Sequence, residues 1–522
     1  MLNHTKNIFV EEELAKRRKK ALQISKDKKK LNSQDVAYQM KKEEELKRQE
    51  TIPIHERKYE EKIRNKKIEE IKDEIAEYLL QHHSSELKGA MFDFKIRKKL
   101  EPIISNYIKR NKIVIVGFDE KDNNELTKYM LNEIVGLGPI DEIIKQGEGK
   151  ISEIWVNGLN PITKEIDVYY EKRGDKIKET NIKFRDQAHA MDIAKKIARN
   201  GSQQFGSSVP AANVRYPDGR VNLVRDPIAT GGGGPYISFR LFPKDTLMPE
   251  DLLKGGSMNE EMYKLLRLAF RYGLNGIMVG PTGSGKTTLL TANVAFIPES
   301  ERILVMEDTE EMRLRHKFPD KHIITEECKF NREDETKNYD LAFLTVNALR
   351  QKPDYMIYGE VRDKAAYDML NGGNTGHRVW STLHARSAAR AVQRLINMVL
   401  EHGSKMDTNA IGKWVSESLD IIIFQKLYPD NVRRISEIIE LTDFKDGKPV
   451  FNSLFKFIVE GKDENGKIIG NFYRTGRISL ETAEYLIDEG ADIEEVIPFV
   501  KKPDPIPKTS VRSRLLKYYE EE

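Results

Sequence analysis

Nine consecutive residues, Gly280, Pro281, Thr282, Gly283, Ser284, Gly285, Lys286, Thr287 and Thr288, fit the pattern G-x-x-x-x-G-K-[ST]. These types at this spacing suit phosphate chemistry. The glycines let backbone N–H groups turn inward around an anion. Lys286 offers a cation for the β- and γ-phosphates, and the Thr287 hydroxyl can ligate Mg²⁺. The expected ligands are ATP and Mg²⁺. Local context fits as well. Residues 276–279 are apolar and read as a strand, and 289–292 read as a helix, whose N-terminus adds partial positive charge.

Three further segments carry groups that ATP hydrolysis needs. Residues 303–311 form an apolar strand ending in Glu307, Asp308, Glu310 and Glu311. A strand-end carboxylate can orient the attacking water, and Glu307 is assigned that role. Residues 353–363 repeat the pattern and reach Glu360, a candidate for holding a water on Mg²⁺, which uses few direct protein ligands. The metal-site residues are thus Thr287 and Glu360. Residues 375–385 place His377 and His384 on either side of a short strand. No neighbouring Cys or carboxylate completes a zinc set there. Taken alone, the acids read as solvated loops and the histidines as ordinary satisfied polar groups.

The elements that must position these groups read as α/β. From 257 to 442, strand and helix patterns alternate, as a parallel sheet requires. Residues 244–256 read as a linker, and 443–522 as a C-terminal region with a charged tail. Before the linker, 141–243 reads as α+β, with strands at 151–156, 166–170, 221–224 and 236–240 and a helix over 186–198. Residues 56–140 read as a small helical domain, with Ile68, Ile71, Ile75 and Leu79 at helical spacing and a break at Leu137-Gly138-Pro139. Residues 1–55 are rich in both charges and read as a disordered or helical extension.

Composition narrows the class further. Charged residues make up 33% of the 522, yet the net charge is only +4, so no global attraction to nucleic acid is evident. The single cysteine, Cys328, excludes an internal disulfide framework and suits a reducing compartment. No apolar run approaches the ~18 residues of a membrane span. The N-terminus lacks the apolar core of a signal peptide. A cytoplasmic location is expected, with any membrane contact made through partners.

Together the four segments resemble the secretion and pilus-assembly ATPase superfamily. They correspond to its Walker A (280–288), aspartate box (307–311), Walker B (358–363) and histidine box (375–385). Residues 135–140, 152–158, 215–222 and 237–242 are similar to the N-terminal domain of the tight-adherence (Tad, CpaF-like) pilus ATPases. Residues 455–457, 465–472 and 475–476 resemble that subfamily's C-terminal region. Two stretches depart from the subfamily pattern. His377-Arg378-Val379-Trp380 stands where its members tend to carry an Asp-Gly-containing stretch. Leu241 follows Arg240 where many carry a second basic residue.

The resemblance implies a fold, an assembly and further site residues. The fold would be a RecA-like P-loop ATPase domain with a parallel sheet, preceded by an α+β (PAS-like) domain and the small helical domain. Six subunits would form a ring at the inner face of the cell membrane, acting on an inner-membrane platform protein. Arg220 and Arg240 would approach the γ-phosphate, and His377 and His384 would serve the site as the histidine box. No direct nucleic-acid contact is expected. Sister branches of the superfamily serve conjugation. Two other classes compete: a RecA-like nucleic-acid motor and a nucleotide-binding scaffold without turnover. The first calls for a basic surface interleaved with aromatics. The second has no need of Glu307 and Glu360.

Overall fold

A computed structural model describes residues 54–506, apart from 88, 119–122, 148, 173–177, 181, 243–244, 331–337 and 363–364. The extension expected over 1–55 lies almost wholly outside the described residues, as do Asp363 and the tail from 507. The chain divides into two compact units, 1–142 with 182–200 and 143–181 with 201–522.

The first unit is helical. Ile68, Ile71, Ile75 and Leu79 sit three, four and four residues apart on the helix Ile54–His82, so they share one face. That stripe is buried in one core with Leu100, Ile104 and Ile108 of the helix Phe94–Arg110 and with Leu126 and Met130 of Asn124–Ile134. Asp93 caps the second of these helices, accepting from Lys95 N at 2.7 Å. The helix expected over 186–198 forms at Gln187–Asn200 and belongs to this unit, although the strands on either side of it in sequence do not. Buried Glu133 accepts from Arg185 Nη1 at 2.8 Å and faces His189 Nε2 at 2.9 Å. Burial opposes its charge, but His189 and Arg185 outweigh burial and hold the carboxyl down at about 2.

The second unit begins with an antiparallel sheet. Its strands are β1 (Ile151–Leu159), β2 (Ile166–Lys172), β3 (Lys178–Glu179), β4 (Ala211–Tyr216), β5 (Gly219–Val224) and β6 (Tyr236–Leu241). They lie in the order β3-β2-β1-β6-β5-β4. Burial alternates along β4 and β5, with Val214, Tyr216, Val221 and Leu223 buried and Arg215 and Arg220 exposed. Period-2 alternation is what a sheet with one covered face requires.

A nine-stranded sheet follows, built from β7 (Gly276–Val279), β8 (Ile303–Glu307), β9 (Ile323–Glu327), β10 (Tyr355–Tyr358), β11 (Arg378–Leu383), β12 (Ile421–Leu427), β13 (Arg433–Lys445), β14 (Lys448–Lys462) and β15 (Ile468–Arg474). The order is β15-β14-β13-β12-β7-β11-β10-β8-β9. From β12 to β9 all pairs are parallel, and β13, β14 and β15 extend the sheet antiparallel. The central strands β7, β8 and β10 are buried along their whole length because both faces are covered. Ile277, Val279, Leu304, Met306, Met356 and Tyr358 enter one core. Their strand neighbours Met278, Ile303, Val305, Tyr355 and Ile357 enter the other. In that second core the rings of Phe270 and Trp380 stack with centroids 3.7 Å apart and planes 19° apart.

A P-loop strand, β7, between β12 and β11, with β10 and β8 beyond, is the RecA-like P-loop ATPase layout. From 443 to 500 the chain stays within this sheet and core. β13 spans residue 443, and Leu486, Val496 and Phe499, on the helices Leu480–Asp488 and Ile493–Val500, join the core around Trp380. Among the described residues, no helix is long and apolar enough to cross a membrane.

Candidate active site

Parallel strands deliver their carboxyl ends to one edge of the sheet, and ligands bind there. The P-loop leaves β7 at this edge. Glu307 is the last residue of β8, Glu360 lies two residues past β10, and His384 directly follows β11. Register ties these ends together: Val279 pairs with Leu383, and Tyr358 with both Ser381 and Met306.

The P-loop backbone fits only glycine at key points. Gly283 and Gly285 have φ of 74° and 89°. A Cβ on Gly280 would lie 2.2 Å from the Gln425 carbonyl oxygen. Gly285 caps the helix Lys286–Asn293, so that helix's free N–H groups face the loop. Arg433 Nε on β13 donates to the Gly283 carbonyl at 2.9 Å and ties down the loop tip. Pro281 and Thr282 are exposed, while Thr287 and Thr288 are half-buried in the first turn of the helix.

Lys286 is 6% exposed. Its Nζ donates to the Pro281 carbonyl at 3.2 Å and lies 3.2 Å from His384 Nδ1. Burial pushes the ammonium down to about 8, against the pull of Glu360 and Glu311. Burial and the Lys286 charge likewise lower His384. His384 Nε2 in turn lies 3.3 Å from Glu360 Oε1. On its other oxygen Glu360 accepts from Arg362 Nη2 at 2.7 Å. Burial works against its charge, but Arg362, His384 and Lys286 outweigh that and hold the carboxyl below its usual range.

Glu307 is placed differently. It is 3% exposed, and its Oε1 accepts from the backbone N–H groups of Glu311 and Met312, both at 3.1 Å. Its Oε2 is buried with no partner among the described residues. Burial pushes the carboxyl up to about 8, although those two N–H groups favour the charge. A raised pKa beside an unfilled acceptor is the setting for taking a proton near neutral pH. Gly359 makes room for this side chain, since a Cβ there would lie 2.8 Å from Glu307 Cγ.

Arg240 meets the same edge from the six-stranded sheet. Arg240 Nη2 lies 3.4 Å from Glu311 Oε1 and Arg240 Nε lies 3.8 Å from Glu153 Oε1. Arg240 also bears electrostatically on Lys286. Arg220 is directly opposite Arg240 in the β5–β6 ladder and is exposed. His377 stands apart. It precedes β11 while His384 follows it, and its Nδ1 lies 3.1 Å from Thr375 Oγ1. Within one chain the strand holds the two histidines about 20 Å apart.

Sequence reasoning passed over Arg362, Gly359, Arg433 and the amides of Glu311 and Met312. Arg362 lay in view inside the second acidic segment. Arg433 gave no local signal, because its role depends on β13 running beside the loop. Cys328 is buried, and burial with Asp308 nearby pushes its thiol up to about 12, so it is no nucleophile at neutral pH.

The donor set fits Mg²⁺–ATP. The Thr287 hydroxyl and the Glu360 carboxylate are oxygen donors of the kind Mg²⁺ prefers, and Mg²⁺ keeps its remaining positions for water and phosphate. Buried Ser284 Oγ, inside the loop, has no partner among the described residues.

The chain matches the sequence profile described as Type II/IV secretion system protein over residues 145–452. It is 30% identical to an uncharacterised protein of Methanocaldococcus jannaschii over 307 residues, 57% of this chain and 40% of the relative. It is 34% identical to a twitching motility protein of Neisseria gonorrhoeae over 199 residues, 38% of this chain and 48% of the relative. It is 29% identical to the conjugal transfer protein TrbB of Rhizobium radiobacter over 217 residues, 41% of this chain and 62% of the relative. The chain thus spans about half the length of these relatives.

Proposed function

We propose that this chain, which belongs to the Type II/IV secretion system protein family, hydrolyses ATP and couples hydrolysis to mechanical work in a pilus or secretion machine. One observation carries the reading. Lys286, Glu307, Glu360 and His384 converge at the carboxyl ends of four adjacent parallel strands. A scaffold that only binds nucleotide has no use for a buried carboxylate with a free acceptor oxygen.

In the proposed mechanism, loop N–H groups and Lys286 hold the β- and γ-phosphates. Water attacks the γ-phosphorus as the bond to the β–γ bridging oxygen breaks, and Glu307 accepts the water's proton. Magnesium, when bound through Thr287 and Glu360, supplies charge neutralisation on the phosphates. His384 and Arg362 keep Glu360 ionised for that task. Arg220 and Arg240 supply positive charge where negative charge develops on the γ-phosphate oxygens, and a positioned arginine contributes roughly 10³–10⁵-fold in such reactions. Arg240 would have to leave Glu311 to do so.

The assembly proposed is a homo-hexamer in the cytoplasm, peripheral at the inner membrane through a platform protein, with a tight-adherence-like pilus as its machine. Similarity to a conjugal transfer protein favours a second reading, a motor for DNA transfer. Phosphate release with Mg²⁺, with and without single-stranded DNA, tests the proposal. Basal turnover that single strands leave unchanged supports it. Turnover that appears only with DNA makes the chain a nucleic-acid motor. Nucleotide binding without turnover makes it a scaffold. Neighbouring pilin and platform genes, as against relaxase genes, separate the two machines.

A further inference from the structure

We propose that Arg215 and Asp218, on the β4–β5 hairpin, are positioning residues: by gripping the loop after β8 they set the orientation of Glu307. The inference rests on the reading of Glu307 as the water-orienting group. It starts from an arrangement that is unfavourable by itself. Arg215 pairs with Arg220 across β4–β5, and Arg220 with Arg240 across β5–β6. Three like charges therefore lie side by side across a sheet, where same-sign neighbours repel.

The compensation comes from the loop that follows Glu307. Arg215 Nη2 binds Glu310 Oε2 at 3.0 Å, and Arg215 Nη1 also contacts Glu327 on β9. Arg240 faces Glu311. Arg313 Nη1 donates to Asp218 Oδ1 at 2.8 Å. Three of the four residues 310–313 thus meet an opposite charge on the six-stranded sheet, and the sign reverses with the residue. The fourth, Met312, together with Glu311, supplies the N–H groups that hold Glu307 Oε1. Arg313 has φ of 50°, a left-handed conformation that is unfavourable for a residue with a Cβ.

The pairs are partly exposed, with Arg215 at 46% and Arg313 at 24%. Such pairs add little to stability. Their geometric effect is larger. A loop shift of about half an ångström takes both 3.1 Å bonds to Glu307 Oε1 past hydrogen-bond distance and turns the free Oε2 away from its target. The six-stranded sheet would in this way position the water-orienting group, apart from any arginine contact with phosphate.

The test uses the full chain and a charge swap. Steady-state phosphate release and binding of a fluorescent ATP analogue are measured for wild type, Asp218→Arg, Arg313→Asp and the double variant, with Arg215→Gln as a change that adds no new charge. Misplacement of a reacting group can cost up to about 10²-fold, so each single variant should lose about 10- to 100-fold in kcat. KM, analogue affinity and melting midpoint should stay close to wild type. The double variant should recover most of the rate. Folded single variants, Arg215→Gln included, with kcat within twofold of wild type would overturn the proposal. So would a folded double variant as slow as the singles. Absence of turnover in wild type would instead overturn the ATPase reading on which it rests.

Discussion

Replacing Glu307 with Gln isolates the proton-accepting step. Glutamine keeps the shape, and its carbonyl oxygen can accept the same two N–H bonds from Glu311 and Met312. The amide takes the place of Oε2, which has no partner among the described residues. The loop therefore stays in place, and ATP should bind with near-normal affinity. The rate consequence follows from the carboxyl's value of about 8. One unit below that, about a tenth of the molecules carry the ionised base. Wild-type turnover should climb by up to about tenfold per pH unit below 8, and above 8 the loss of the Lys286 charge should turn it down again. Loss of a general base costs about 10²–10⁴-fold, so near the pH 8 maximum Glu307→Gln should be slower by that factor. At pH 6.5 the gap narrows, because most wild-type molecules are already protonated. Stability gives a second readout. A carboxyl whose folded value exceeds its unfolded 4.5 binds more protons when folded, so it favours folding below that range and the benefit declines as pH rises toward 8. The melting midpoint of wild type should fall with pH across that window relative to Glu307→Gln. Phosphate release from pH 6 to 9, beside analogue binding and thermal melts, covers all three. Wild-type-like turnover in Glu307→Gln with a dead Glu360→Gln would mean the two acids have exchanged roles. A flat wild-type profile from pH 6 to 8 would refute a buried base.

Other expectations test neighbouring contacts. Gly359→Ala puts a Cβ 2.8 Å from Glu307 Cγ, so kcat should drop about tenfold or more while ATP still binds; unchanged kcat would mean that Glu307 needs no fixed seat. Lys286, lowered to about 8, loses its charge as pH rises through that value, so ATP binding should weaken about tenfold between pH 7 and 9 in equilibrium titrations; a constant affinity there would remove the lysine–phosphate contact. Phe270→Ala breaks the stack on Trp380 and should destabilise the second unit by about 3–5 kcal/mol in denaturant unfolding, with no direct effect on ATP affinity.

Much of the site could be read in the sequence because it is local. A phosphate loop needs its glycines, lysine and threonine within nine residues, and the flanking apolar runs announce a covered parallel strand. Glu307 and Glu360 were visible for the same reason, as carboxylates ending such runs. The arginine row was not. Arg215, Arg220 and Arg240 become neighbours only through the registers of β4, β5 and β6, which no spacing in the chain displays. The amides that hold Glu307 carry no sequence signal, since every residue has one. His377 and His384 look equivalent as letters, yet a six-residue strand sends them to opposite ends of the sheet. Residues 443–474 mix polar and apolar side chains with no steady period, and β14 buries its residues without alternation, so they did not announce that they continue the same sheet.

The most direct measurement is Mg²⁺-dependent phosphate release by wild type and Lys286→Ala, side by side, on folded protein of matched melting midpoint. The account predicts steady turnover in wild type without added nucleic acid. In Lys286→Ala it predicts weakened nucleotide binding and turnover reduced to background. Near-normal hydrolysis by Lys286→Ala would contradict the central claim that ATP is split at the loop following β7.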